Sequence, residues 1–320
     1  MSVLVYTESE QGTYKKVAFE VASYARAIAD QLGTSVTAIS INAKDPSILG
    51  TYGVTKILNV QDSKLDAFNA KSYANVINQA AAEEGSEVVI VSSSADSKYL
   101  APLLAIELKA GYASNVVALP TNLSPFTVKR TAFTNKAFNE TSISTSIKLV
   151  GLSNNSFGIK EHATEAEVTH YSPSIPDNGV HVESVDKVTD KVTIADADIV
   201  VSGGRGLKGP ENWGMIEDLA DVLGGATACS KPVSDLGWRP HGEHVGQTGK
   251  PVAANLYIAI GISGAIQHLA GINASKVKLV INTDPEAPFF KAADYGVVGD
   301  AFEVVPQLIE KLKAFKAQNA

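Results

Sequence analysis

Two rhythms alternate along the first third of the chain. Short runs at residues 3–6, 36–41, 57–60 and 88–91 are apolar at nearly every position, as strands covered on both faces are. Between them apolar residues recur at helical spacing. Val17, Val21, Tyr24, Ile28 and Leu32 do so up to Gly33; Tyr73, Val76, Ile77, Ala80 and Ala81 up to Gly85; Leu100, Leu103, Leu104 and Leu108 up to Gly111, after which residues 116–119 follow as a strand. Strand and helix taking turns in this way predict a parallel sheet.

From Phe126 the texture changes. Residues 126–133 alternate apolar with polar, 135–139 can turn, and 141–149 alternate again, which predicts antiparallel strands appended to the same domain. The stretch 172–179, SPSIPDNG, is a breaker, and 182–198 is dotted with acids, so the boundary is expected near residue 188: one domain over 1–188, a second over 189–320. In the second, residues 199–202 run straight into Gly203-Gly204-Arg205-Gly206. Ile216, Leu219, Ala220 and Leu223 stripe a helix, 256–260 and 277–281 are core strands, and 266–270 form a short helix between them. Val304, Val305, Leu308, Ile309, Leu312 and Phe315 make a closing amphipathic helix.

Composition narrows the function classes. A length of 320 residues favours two domains. A net charge of −7 gives no basic field, so neither nucleic acid nor anionic lipid is an expected partner. The longest uncharged apolar run, 256–266, falls short of the roughly 20 residues of a membrane span, so no membrane insertion is expected. One cysteine, Cys229, forms no internal disulfide and reads as a small buried hydrophobe. The N-terminus has neither a secretory nor a mitochondrial signal pattern, which makes a cytoplasmic location the expectation.

Candidate chemistry lies in the second half. Ligands of open parallel sheets bind beyond the carboxyl ends of the strands, where the amides of the following helices point outward. Two such turns are rich in small residues: Gly203-Gly204-Arg205-Gly206 and Gly261-Ile262-Ser263-Gly264-Ala265. Small side chains admit an anion to the backbone, but they also let a helix pack closely on a sheet, and spacing alone leaves both readings open. His241 and His244 have the look of a metal pair without a third ligand, which an exposed loop explains; no metal is expected. His268, just past Ser263-Gly264-Ala265, is either a core histidine or a ligand contact. No nucleophilic triad stands out.

Four motifs carry a resemblance. VVSGGRGLKGPEN (200–212), VGQTGK (245–250), LYIAIGISGAIQHLAG (256–271) and INTDPEAPFFKAADYGVVGD (281–300) occur in an order that closely resembles the α subunit of electron transfer flavoproteins. The likeness is strong over 199–310 and weaker before it. It implies a nucleotide-hydrolase-like N-terminal α/β domain, which contacts a β subunit, and a Rossmann-like C-terminal domain with a parallel sheet that binds FAD. The β subunit would complete a heterodimer and carry AMP.

By the same resemblance Thr248 would address flavin N5 and His268 the O2 edge. Ser263, Gly264, Ala265, Ile266 and Gln267 would line the ribityl and pyrophosphate. Arg205, Ser230, Lys231, Val245, Gly246, Gln247, Asn282 and Asp300 would complete the pocket. A cation near O2 would stabilise the anionic semiquinone, and His268 is expected in that role. Lys231 stands where many family members have an arginine over the ring: it keeps the charge and loses the planar guanidinium, unless it is merely a solvated lysine. The implied role is an electron carrier rather than an enzyme, taking electrons from acyl-CoA dehydrogenases and other flavin dehydrogenases, as in fatty acid β-oxidation, to a quinone oxidoreductase. A subunit of an electron-bifurcating, NADH-oxidising complex is the alternative.

Overall fold

A computed structural model of the chain describes residues 2–133, 135–177, 179–180, 182–185, 193–194 and 197–319. The chain divides into two compact units, Met1–Ala132 with Ala137–Val185, and Asp186–Ala320 with Phe133–Lys136. The boundary expected near residue 188 lies outside the described residues.

The first unit is a ten-stranded sheet. Its named strands are β1 (Ser2–Thr7), β2 (Val36–Ile41), β3 (Lys56–Val60), β4 (Ser86–Ser92), β5 (Gly111–Val116), β6 (Phe126–Ala132), β7 (Ala137–Ile143), β8 (Lys148–Leu152) and β9 (Glu167–His170). They lie in the order β7-β6-β5-β8-β4-β1-β2-β3-β9, with Asn122–Leu123 paired alongside β6. Helix α1 (Lys16–Leu32) covers one face through Val21, Tyr24 and Ile28. Helices α2 (Ala70–Glu83) and α3 (Ala95–Leu108) cover the other through Val76, Ile77, Leu100 and Leu104. The apolar runs are strands because both of their faces are buried: Val3, Leu4 and Val5 are inaccessible to solvent.

One expectation is corrected. Residues 141–149 are not a single antiparallel strand: β7 ends at Ile143, and from Lys148 the chain enters β8, which runs parallel to both β4 and β5 inside the sheet. The antiparallel part lies at the sheet's edge, where β6 pairs with β7, with Asn122–Leu123 and, at one position, with β5. Residues 116–119 likewise do not form the expected strand, because Gly111 opens β5 and Val116 ends it.

The second unit holds six parallel strands: β10 (Ile199–Gly203), β11 (Ala226–Ser230), β12 (His244–Val245), β13 (Leu256–Ile260), β14 (Val277–Asn282) and β15 (Tyr295–Val298). Their order is β12-β11-β10-β13-β14-β15. Counted within the unit this is 3-2-1-4-5-6, the doubly wound arrangement whose direction of winding reverses between the first and fourth strands. Helices α4 (Gly214–Leu223), α5 (Lys231–Asp235) and α7 (Ala301–Asn319) pack on one face through Ile216, Leu219, Val233 and Val305. Helix α6 (Ile266–Ile272) packs on the other with Phe289. Phe315, expected on the buried stripe of α7, is instead largely exposed. Among the described residues no helix is long and apolar enough to cross a membrane.

Candidate functional site

Every candidate residue comes to the carboxyl edge of the second sheet, because each follows or ends a parallel strand. Arg205 follows β10, Ser230 and Lys231 straddle the end of β11, and Val245, Gly246, Gln247 and Thr248 leave β12. Ser263 to His268 follow β13, Asn282 ends β14, and Asp300 lies just past β15.

At the point where the winding reverses, the two glycine turns meet each other. A Cβ on Gly204 would lie 2.1 Å from the Gly261 carbonyl oxygen, and one on Gly206 would lie 2.7 Å from Gly261 Cα. The Gly204 amide donates to the Ile260 carbonyl (2.8 Å) and the Gly206 amide to the Gly261 carbonyl (3.1 Å). Of the two readings left open for the first turn, close packing is therefore realised at Gly204 and Gly206. Arg205 is exposed beside them.

The second turn is built differently. Gly264 has φ +86, and a Cβ there would meet the Phe289 amide nitrogen at 2.5 Å. The Phe289 amide in turn donates to the Ser263 carbonyl (3.1 Å), and Asn282 Nδ2 donates to the Ile262 carbonyl (3.1 Å). Asn282 thus holds this turn in place. With the turn fixed from beneath, the side chains of Ser263, Ala265, Ile266 and Gln267 face outward and are exposed, Ile266 by 68%.

The threonine loop is joined to helix α6. The Gln247 amide donates to the Gln267 carbonyl (2.7 Å) and the Val252 amide to the Gly271 carbonyl (2.7 Å). A Cβ on Gly271 would lie 2.6 Å from Gly246 Cα, so the two backbones touch. Gln247 and Thr248 are left exposed at the tip of the loop. The tip of the threonine loop and the start of α6 thereby form one continuous surface.

His268 sits under that surface, buried, with its ring 6.0 Å from Tyr257 and 6.1 Å from Phe289. Its Nε2 is 2.9 Å from the Tyr257 hydroxyl. Its Nδ1 has no partner of regular hydrogen-bond geometry, with the Val245 backbone beside it. Burial pushes the imidazole down to about 4, and the neighbouring His244 adds to the effect. His268 is accordingly neutral near pH 7, where a standing cation was expected. His244 itself is buried in β12 rather than exposed in a loop, and burial lowers it too. His241 Nδ1 pairs with the Ser234 hydroxyl at 2.8 Å.

The remaining candidates divide. Ser230 is buried at the start of α5. Lys231 is exposed and pairs with Asp235 one helical turn on at 3.4 Å. Asp300 accepts from the Phe302 amide (3.0 Å), capping α7, and lies 4.0 Å from Lys208. Cys229 is wholly buried, and its thiol is pushed up to about 12 by desolvation, which makes it inert at neutral pH. Sequence reasoning missed Tyr257 and Phe289, which bracket His268. An aromatic inside an apolar run reads simply as core; the signal was that the Tyr257 hydroxyl must find a partner there.

Comparison with known proteins agrees with this geometry. Residues 3–176 match the family described as electron transfer flavoprotein domain, and residues 193–273 match the electron transfer flavoprotein FAD-binding domain. The electron transfer flavoprotein subunit alpha of Bacillus subtilis (strain 168) is 37% identical over 318 residues, covering 97% of each chain. The protein of that name from Thermoanaerobacterium thermosaccharolyticum is 33% identical over 328 residues, covering 98% of each. The mitochondrial subunit alpha of Arabidopsis thaliana is 31% identical over 325 residues, covering 98% of this chain and 90% of the plant one. Near-complete coverage, two matching domains and a doubly wound sheet with its candidate residues on one edge lead to a single assignment: the chain belongs to the α subunits of electron transfer flavoproteins, which are electron carriers rather than enzymes.

Proposed function

We propose that this chain forms a heterodimer with an electron transfer flavoprotein β subunit, which carries AMP. In this reading it is a cytoplasmic carrier that moves electrons from acyl-CoA and other flavin dehydrogenases to a quinone oxidoreductase. The domains divide the work near residue 188: 1–188 meets the β subunit and 189–320 holds FAD. The observation that carries the reading is the convergence of residues from all six strand ends on one edge of the second sheet.

The residues there fit FAD. The exposed polar tips of Gln247 and Thr248 stand beside the exposed apolar side chain of Ile266, a combination suited to a flat ring with polar edges. Beneath them His268 Nδ1 and the Ser202 hydroxyl are buried without a hydrogen bond of regular geometry. Bound FAD supplies one-electron redox chemistry that side chains lack. The protein's own part is to bind and orient. Thr248 would offer its hydroxyl to the ring's N5, and His268 would lie toward the O2 edge. Ser263, Gly264, Ala265, Ile266 and Gln267 would take the ribityl and pyrophosphate. Val245 and Gly246 back the loop, and Arg205, Ser230, Lys231, Gln247, Asn282 and Asp300 complete the pocket.

The test is the absorption spectrum of the protein copurified with its β subunit and reduced stepwise. One FAD and one AMP per heterodimer is the expected result. A colourless heterodimer that takes up no added FAD would overturn the reading, and two FAD per heterodimer would favour the bifurcating alternative.

A further inference from the structure

The interior side of the site contains a line of three polar groups that the binding of a cofactor does not by itself require. Ser202 on β10 and Tyr257 on β13 lie on the same face of the sheet, since Val200, two residues before Ser202, is the register partner of Tyr257. Both are wholly buried. The Tyr257 hydroxyl reaches His268 Nε2 at 2.9 Å. Its ring is stacked parallel to Phe289 at 6.4 Å, and Phe289 is tied to the Ser263 carbonyl, so the tyrosine cannot swing away.

A buried pair that existed only to satisfy two core side chains would close on itself. This one continues on both sides: Ser202 Oγ stands behind the tyrosine hydroxyl and the Val245 backbone stands beside His268 Nδ1, each of these two buried side-chain atoms short of a hydrogen bond of regular geometry. A phenolic hydroxyl both donates and accepts, whereas each imidazole nitrogen does one or the other in a given protonation state. The hydroxyl can therefore donate to a bare Nε2 and, by rotating, accept from a protonated one.

We infer that Tyr257 is a positioning residue for His268: with the Nδ1 proton turned to the Val245 backbone, its hydroxyl, backed by Ser202, donates to the bare Nε2 and so holds that tautomer, and it gives Nε2 a partner in either protonation state. The titratable groups facing the imidazole are Tyr257 from β13 and His244 from β12, while α6 itself and the Phe289 segment present none. With Tyr257 in place, a proton added to His268 finds an acceptor at once for the Nε2–H, and no side chain has to change rotamer. The functional consequence rests on the proposal that His268 borders the flavin. The tautomer assignment does not.

The test uses the purified heterodimer labelled with ¹⁵N-histidine. In the wild type His268 shows one neutral tautomer, with Nε2 unprotonated. Tyr257→Phe keeps the ring on Phe289 and removes only the hydroxyl; it is expected to populate both tautomers and to lower the proton affinity of His268 at least tenfold, because a protonated Nε2 then has no acceptor. Ser202→Ala moves the same resonances in the same direction by less. Unchanged His268 resonances and titration in both variants overturn the inference. A second readout separates it from the site assignment. If His268→Gln leaves the flavin potential unmoved while Tyr257→Phe still mixes the tautomers, it is the placement of His268 at the flavin that fails.

Discussion

The two units are both α/β sheets with helices on each face, the second wholly parallel and the first parallel apart from its antiparallel edge, and they treat the carboxyl edge in opposite ways. In the first, the chain's own side chains fill it. Glu8, just past β1 and 3% exposed, accepts hydrogen bonds from the hydroxyls of Ser92 and Ser97 (3.0 Å for the latter) at the start of α3, whose first turn Ser94 caps. A carboxylate there complements the positive end of the helix. Nearby, Ser40 engages both Thr7 (2.9 Å) and Tyr14 (2.6 Å). In the second unit the same edge is built from glycine backbone and leaves Gln247, Thr248, Ser263 and Gln267 pointing outward. A shared architecture thus offers the same anion-friendly edge twice, and local side chains decide whether the protein fills it from within or leaves it for a ligand.

The largest expected effect comes from spoiling the open edge. Gly264→Ala combines a positive φ with a Cβ 2.5 Å from the Phe289 main chain, and strain plus overpacking amount to about 4 kcal/mol. The unfolding temperature of the heterodimer and its flavin content should both fall sharply; unchanged values would mean that the turn is softer than its packing indicates.

Next in size is the acid sensitivity of the second unit. His268 is depressed to about 4 in the folded chain against an ordinary value near 6.5, so between those values the unfolded state binds a proton that the folded state does not. Stability present above pH 6.5 is lost as the pH falls toward 4, by about 3 kcal/mol. His268→Gln should flatten that part of the pH profile in denaturant titrations. An equally steep profile in the variant would assign the acid sensitivity to other groups.

The closed edge should respond in stability only. Glu8→Ala removes the charged acceptor of the Ser92 and Ser97 hydroxyls, leaving them only each other at 3.2 Å, and should cost about 2 kcal/mol, with FAD per heterodimer unchanged. Loss of flavin in that variant would break the contrast between the units.

The smallest effect is expected at Lys231. It is exposed and already paired with Asp235, and exposed pairs contribute little. Lys231→Arg should shift the one-electron potentials by a few tens of millivolts, under about 1 kcal/mol. Indistinguishable potentials would make it a solvated lysine away from the ring.

How much of this was legible in the sequence follows from which signals periodicity carries. Residues 36–41 announced a strand because every position is buried. β9 went unseen because its residues are mostly exposed at the sheet's edge and leave no apolar pattern. β8 was misread because its runs of apolar residues describe burial and say nothing of which strands lie beside it. At the site, turn chemistry exposed the glycine and threonine loops, yet it did not distinguish glycines that pack on each other, as Gly204 and Gly261 do, from a glycine that shapes an open turn, as Gly264 does. The neutrality of His268 was hidden for the same reason. It depends on Tyr257, Phe289 and His244, which are distant in sequence and close only in the fold.

The backbone contact between Gly246 and Gly271 has one more consequence. The threonine loop and helix α6 are fused by that contact and by amide-to-carbonyl bonds at Gln267 and Gly271, so they move as one rigid plate. Charge arriving at such a plate meets dipoles that already point where they must, and little reorganisation energy is needed to accommodate it.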